Sequence, residues 1–121
     1  MIVHLEDVPL EAQPERSLVL RRAITAADHS PAISVTWVSI GGHHDRVVSH
    51  MSDRVYYILE GAGRFQVGDN APVEPVTGGD FVFIPRGTSY EFDGDMRYLV
   101  INGPAFQAGS DEVLPEVNLT P

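Results

Sequence analysis

At 121 residues, with 43% apolar and 21% charged side chains, the chain suits one globular domain that buries roughly two-thirds of its unfolded surface. Seventeen acids against eight bases leave a net charge of −9, the wrong sign for a surface that follows phosphate backbones, so nucleic acid is excluded as the expected partner. The absence of cysteine removes disulfides, thiolate metal sites and a cysteine nucleophile together.

The opening MIVHLEDVPLEAQ has neither the basic nor the apolar region of a signal peptide. No segment approaches the ~18 consecutive apolar residues of a membrane span, so a cytoplasmic protein without membrane contact is expected. Two prolines in the first twenty residues point to an edge strand or an arm rather than a central strand. LVLRRAITAAD (18–28) fits either a helix or an extended segment, and AISVTWVSI (32–40) reads as the first clear strand. GGHHDR (41–46) reads as a polar loop, although its two histidines and aspartate could in principle chelate an ion.

VYYILEG (55–61) and GRFQVG (63–68) are read as two strands joined by a tight glycine hairpin at EGAG (60–63), with a second turn at GDNAP (68–72). GDFVFIP (79–85), SYEFDG (89–94) and RYLVING (97–103) complete the set, all short, β-branched or aromatic, and bounded by Gly, Pro, Asn or Asp. The tail 107–121 has two prolines and scattered acids and is expected to be a surface strap or a flexible end. Short strands at this spacing predict an all-β sandwich or barrel of a single domain.

Two spaced motifs sharpen that reading. Gly42, Val48, His50, Arg54 and Gly61 follow G-x5-V-x-H-x3-R-x6-G, and Gly79, Pro85, Gly87 and Tyr90 follow G-x5-P-x-G-x2-Y. This framework resembles the paired consensus motifs of the cupin superfamily over residues 32–103. The resemblance implies a double-stranded β-helix, or jelly-roll barrel, over 32–106, with 1–31 as N-terminal arm or edge strand. It also implies a homodimer, since cupins commonly pair through sheet edges.

Cupin motifs place three histidines and a glutamate around a divalent metal inside the barrel. The matching positions here are Val48, His50, Arg54 and Tyr90, and Gly94 replaces the closing asparagine. Val48 has no lone pair and Arg54 brings a permanent positive charge, so the usual cupin metal is expected to be absent and no cofactor is assigned. His50, His43 and His44 are the residues left that could ligate an ion.

Alternation counted from the cupin motif's inward-facing glutamate position, here Arg54, puts Arg54, Tyr56 and Ile58 on the same side as His50. His50 and Tyr90 are therefore the expected catalytic pair, with Arg54 as an anion clamp and Tyr56, Phe81, Phe83, Phe92 and Trp37 lining the cup. A proton carrier, an anion clamp and a phenol suit proton transfer beside a carbonyl. The expected function is small-molecule binding in the barrel, extending to a metal-independent isomerase, cyclase or lyase. The alternatives are a non-catalytic sensor of a small organic acid and a metal-dependent, dioxygenase-like cupin with non-standard ligands.

Overall fold

The computed structural model describes residues 1–117 and 119. Eight strands carry the fold: β1 (Glu11–Gln13), β2 (Leu18–Ile24), β3 (Ser34–Ser49), β4 (Asp53–Val67), β5 (Val73–Thr77), β6 (Phe81–Ile84), β7 (Ser89–Gly103) and β8 (Asp111–Leu114). Their pairing is antiparallel throughout, in the order β1-β2-β3-β7-β4-β5, with β6 added to β4 and β8 to β3. No helix among the described residues is long and apolar enough to cross a membrane.

Three long strands, β3, β4 and β7, make the barrel by bending rather than by ending. Gly42 of β3 and Gly63 of β4 both pair with Gly94 of β7, so a row of glycines crosses three neighbouring strands. A Cβ on Gly94 would lie 2.5 Å from the Ala62 carbonyl oxygen, and one on Gly63 would lie 2.6 Å from that of Asp93. The backbones approach too closely for any side chain, and the sheet folds over along this line. Gly61, at φ 93° and with Asp95 O only 2.2 Å from where a Cβ would sit, adds a second bend beside a register shift between Ile58 and Glu60.

The expected hairpin at 60–63 is therefore corrected: its glycines bend one continuous strand instead of reversing it. The same bending merges 89–94 and 97–103 into β7 and draws GGHHDR into β3. The 18–28 segment is extended over Leu18–Ile24, with Leu18 and Leu20 turned to the core. In the tail, 111–114 pairs with β3, while residues 118, 120 and 121 lie outside the described residues.

The core is unusually aromatic. Tyr56, Phe65, Tyr90, Phe92 and Tyr98 are each at most 2% exposed and pack with Val38, Ile40, Ile58 and Met96. Phe65 stacks on Phe92 at 4.3 Å between ring centroids, and Tyr56 meets both edge-on. On β6 the inward residues are Val82 and Ile84, whereas Phe81 (71%) and Phe83 (59%) are exposed. These two rings sit opposite Tyr57 and Val55, which pair in turn with Leu99 and Ile101, and Trp37 and Val35 continue the row on β3. One outer face of the barrel is thus an apolar sheet surface spanning four strands.

Candidate functional site

Inward residues of five strands and β8 line a cavity at one end of the barrel. Its polar members are Gln13, Arg16, Arg22, Thr36, His44, Arg54, Tyr56, Tyr90, Tyr98, Asn102 and Asp111; Leu18, Leu20, Val38, Val100 and Phe106 supply apolar wall. An adjoining depression around Thr25–Ala27 and Gln107–Ala108 shares Arg22, Thr36 and Phe106 with it, extending the mouth outward.

Arg54 organises the floor. Its side chain is 4% exposed. Nε–H donates to Asn102 Oδ1, Nη1–H to the Tyr90 hydroxyl at 2.8 Å, and the two terminal nitrogens grip both oxygens of Asp111 at 3.0 and 2.9 Å. The Tyr56 and Tyr90 hydroxyls share a further hydrogen bond at 2.7 Å. Burial penalises the Arg54 charge, but Tyr90 and the Asp111 carboxylate more than offset it, and the pKa is raised above the ordinary guanidinium value. Burial also raises all three tyrosines. For Tyr90 the neighbouring Arg54 charge and the bonds from Tyr56 and Arg54 pull in the opposite direction, making it the tyrosine whose phenol is most polarised.

His44 stands over this floor. Its ring is stacked on Phe92 at 4.4 Å and lies 17° from parallel to Tyr90 at 6.1 Å. Nδ1 lies 2.7 Å from the carbonyl of Asp45. A carbonyl only accepts, so Nδ1 carries the proton and Nε2 keeps its lone pair. Burial, only partly countered by that bond, lowers the pKa to about 4, so at neutral pH the ring is a neutral base although it is partly exposed where it borders the cavity.

Of the residues expected to share one cup, Arg54, Tyr56 and Tyr90 come together with Phe92 behind them. His50 does not. β3 ends at Ser49 and β4 begins at Asp53, so the alternation that would carry His50 inward is broken by a bend. Its side chain is 63% exposed and bonds Glu112 on the surface. Phe81, Phe83 and Trp37 are corrected in the same way: each sits one residue out of phase with its strand's inward set and belongs to the outer apolar face. Arg54 is not a free clamp either, because Asp111 already fills its fork. The three histidines considered as ligands are dispersed, His44 in the cavity, His43 on the opposite face of β3, and His50 outside.

Sequence reasoning missed Asn102 and Asp111, and it took His44 only as a possible metal ligand and not as a base in the cavity. For His44 a signal existed: two adjacent histidines in a strand place one on each face. Asn102 and Asp111 lie 48 and 57 residues from Arg54, and no local pattern announces them.

The cavity's donor set does not fit a divalent cation of the usual cupin kind. It offers one imidazole and one carboxylate, the latter held by Arg54, whose charge would face the ion.

No protein-family model matches the chain, and no curated protein matches it in sequence. Solved structures do. Streptomyces PAC13 with uridine is similar at a TM-score of 0.81 and 20% identity, over 98% of this chain and 93% of that one; a further structure describes Pac13 as a unique nucleoside dehydratase. The polyketide cyclase RemF from Streptomyces resistomycificus is similar at 0.71 and 22% identity, over 91% and 88% of the two chains. KdgF from Halomonas sp. is similar at 0.73 and 12% identity, over 88% and 96%. These likenesses establish the fold: the chain is a single-domain, all-β barrel of the cupin type.

Proposed function

We propose that the barrel binds a small polar organic molecule and eliminates from or cyclises it without a metal, His44 serving as base and Tyr90 as acid. The observation that carries this reading is the placement of an imidazole with a bare Nε2 and an Arg54-polarised phenol on one cavity. When Tyr56 donates to Tyr90, the Tyr90 oxygen accepts from both Tyr56 and Arg54, and its own proton is free for a substrate. The corresponding step is an elimination. Nε2 takes a proton from carbon beside a carbonyl, the electron pair becomes the new double bond, and a β-hydroxyl departs as water with the proton from Tyr90. The proton on His44 then passes to solvent and Tyr90 is reprotonated. Arg16 on the cavity wall, 3.8 Å from Asp45 and without a hydrogen bond to it, suits a substrate with an anionic or strongly polar end, whereas Arg22 is already gripped by Glu11. The nucleoside dehydratase and polyketide cyclase among the similar structures support the reaction class.

The test begins with uridine and a panel of small β-hydroxy carbonyl compounds, using calorimetry for binding and mass spectrometry for loss of water. His44→Gln and Tyr90→Phe should each lower turnover by about 10²–10⁴-fold with binding largely kept. An undiminished rate in either variant overturns the assignment, and binding without turnover by the native protein would make it a sensor.

We further infer that the exposed apolar face around Phe81 and Phe83 pairs two copies of the chain, since isolated monomers seldom leave so continuous a patch uncovered.

A further inference from the structure

On the outer side of the barrel, opposite the cavity, a second polar cluster lies under the C-terminal strap. Glu91 is 0% exposed, between the inward residues Tyr90 and Phe92. Its Oε1 accepts from the Val117 amide at 3.0 Å and from Arg46 at 3.4 Å. Its Oε2 has no hydrogen-bond partner; it lies 2.6 Å from His43 Nε2, which is equally unpartnered, because the two are not aligned as donor and acceptor. Glu116 Oε2 is 3.6 Å from the same nitrogen, and the three ligand atoms fall within 4.8 Å of one another.

We propose that His43, Glu91 and Glu116 bind a divalent transition-metal ion, of the zinc or manganese class, that fastens the strap to the barrel. One imidazole and two carboxylates are a donor set for such ions. Ligands about 2.1 Å from a tetrahedral ion stand about 3.4 Å apart, so Glu116 is already at the right distance and the His43–Glu91 gap opens by less than about 1 Å. Charge agrees. Glu91 and Asp69 flank the single guanidinium of Arg46 while Glu116 faces His43 instead, and three carboxylates against one guanidinium leave two negative charges that a divalent ion cancels. Arg46 engages Oε1 and not Oε2, so it orients the carboxylate without blocking the ion. The ion would replace two orphaned buried atoms with two bonds, removing a cost that native interiors seldom carry. The strap so fastened is the one that delivers Asp111 to Arg54; the ion is structural and takes no part in the cavity chemistry.

The experiment strips the protein with chelator and titrates it with zinc chloride and, separately, manganese chloride, following heat, melting temperature and amide exchange over 111–117. One ion per chain is expected, with a raised melting temperature and slower exchange in the strap. His43→Ala and the exposed-site variant Glu116→Gln should each weaken binding about tenfold or more, while Glu112→Gln, on the same strap, should not. No saturable site in the native protein, or affinity unchanged in both ligand variants, overturns the proposal.

Discussion

Replacing Arg54 with methionine separates a structural pin from a free ligand clamp. The substitution keeps the volume of the stem and removes four hydrogen bonds, one to Asn102, one to Tyr90 and two to Asp111. Truncating one partner of a buried ion pair costs about 3–5 kcal/mol, because the other charge stays behind. Asp111 is 24% exposed and recovers part of its hydration, which favours the low end. Asn102 and the Tyr90 hydroxyl lose a charged donor and add about 1 kcal/mol between them. A loss near 4 kcal/mol results. With an unfolding entropy of about 2.1 cal/mol/K per residue over 121 residues, the melting temperature falls by about 15 °C. Urea unfolding followed by circular dichroism measures the loss directly, and an Arg54→Met/Asp111→Asn double variant should cost little more than Arg54→Met alone. A fall below about 4 °C would refute the reasoning, since Arg54 would then be free to hold a ligand at no cost to the fold.

His44 sets a dependence on acid. Its folded pKa, lowered to about 4 by burial, lies below the unfolded value near 6.5, so between those limits the unfolded chain binds more protons and stability falls as pH drops. His44→Gln should flatten that slope, read as urea midpoints at about pH 7 and pH 4.5; equal slopes in both proteins would contradict it. On the outer face, Phe81→Ser with Phe83→Ser removes two rings worth about 1.5–3 kcal/mol each, enough to raise a dimer dissociation constant by at least about a hundredfold. Sedimentation should show native dimer and variant monomer, and a monomeric native protein would end that inference.

The barrel was legible because its signals are local. β-branched and aromatic runs marked the strands, and the glycine and proline spacing marked the motifs. What the sequence hid was continuity. Gly61 and Gly63 read as the reversal of a hairpin, yet glycine equally permits a strand to fold over where Gly94 comes close, and only the partner strand decides between the two. The site suffered from the same blindness. Counting by twos from Arg54 back to His50 gives the right parity and the wrong answer, because a bend at 50–52 resets the phase. Phe81 and Phe83 share a parity with each other, and nothing local says which side faces the core. Arg54, Tyr56 and Tyr90 were found because two of them lie within one regular strand and the third at a motif position. Asp111 and Asn102 were missed because long-range pairing sets their place.

The reliance of the cavity floor on Asp111 also bears on how the protein is made. Chains emerge from the ribosome N-terminus first, so β1 to β7 can pair while Arg54 still lacks its carboxylate. Until β8 arrives the nascent barrel carries an uncompensated charge at its centre, and the polar floor of the cavity is completed last. A chain ending just before residue 111 would lack the carboxylate that holds Arg54, so the polar floor is the part of the barrel that depends on the last stretch of chain to be made.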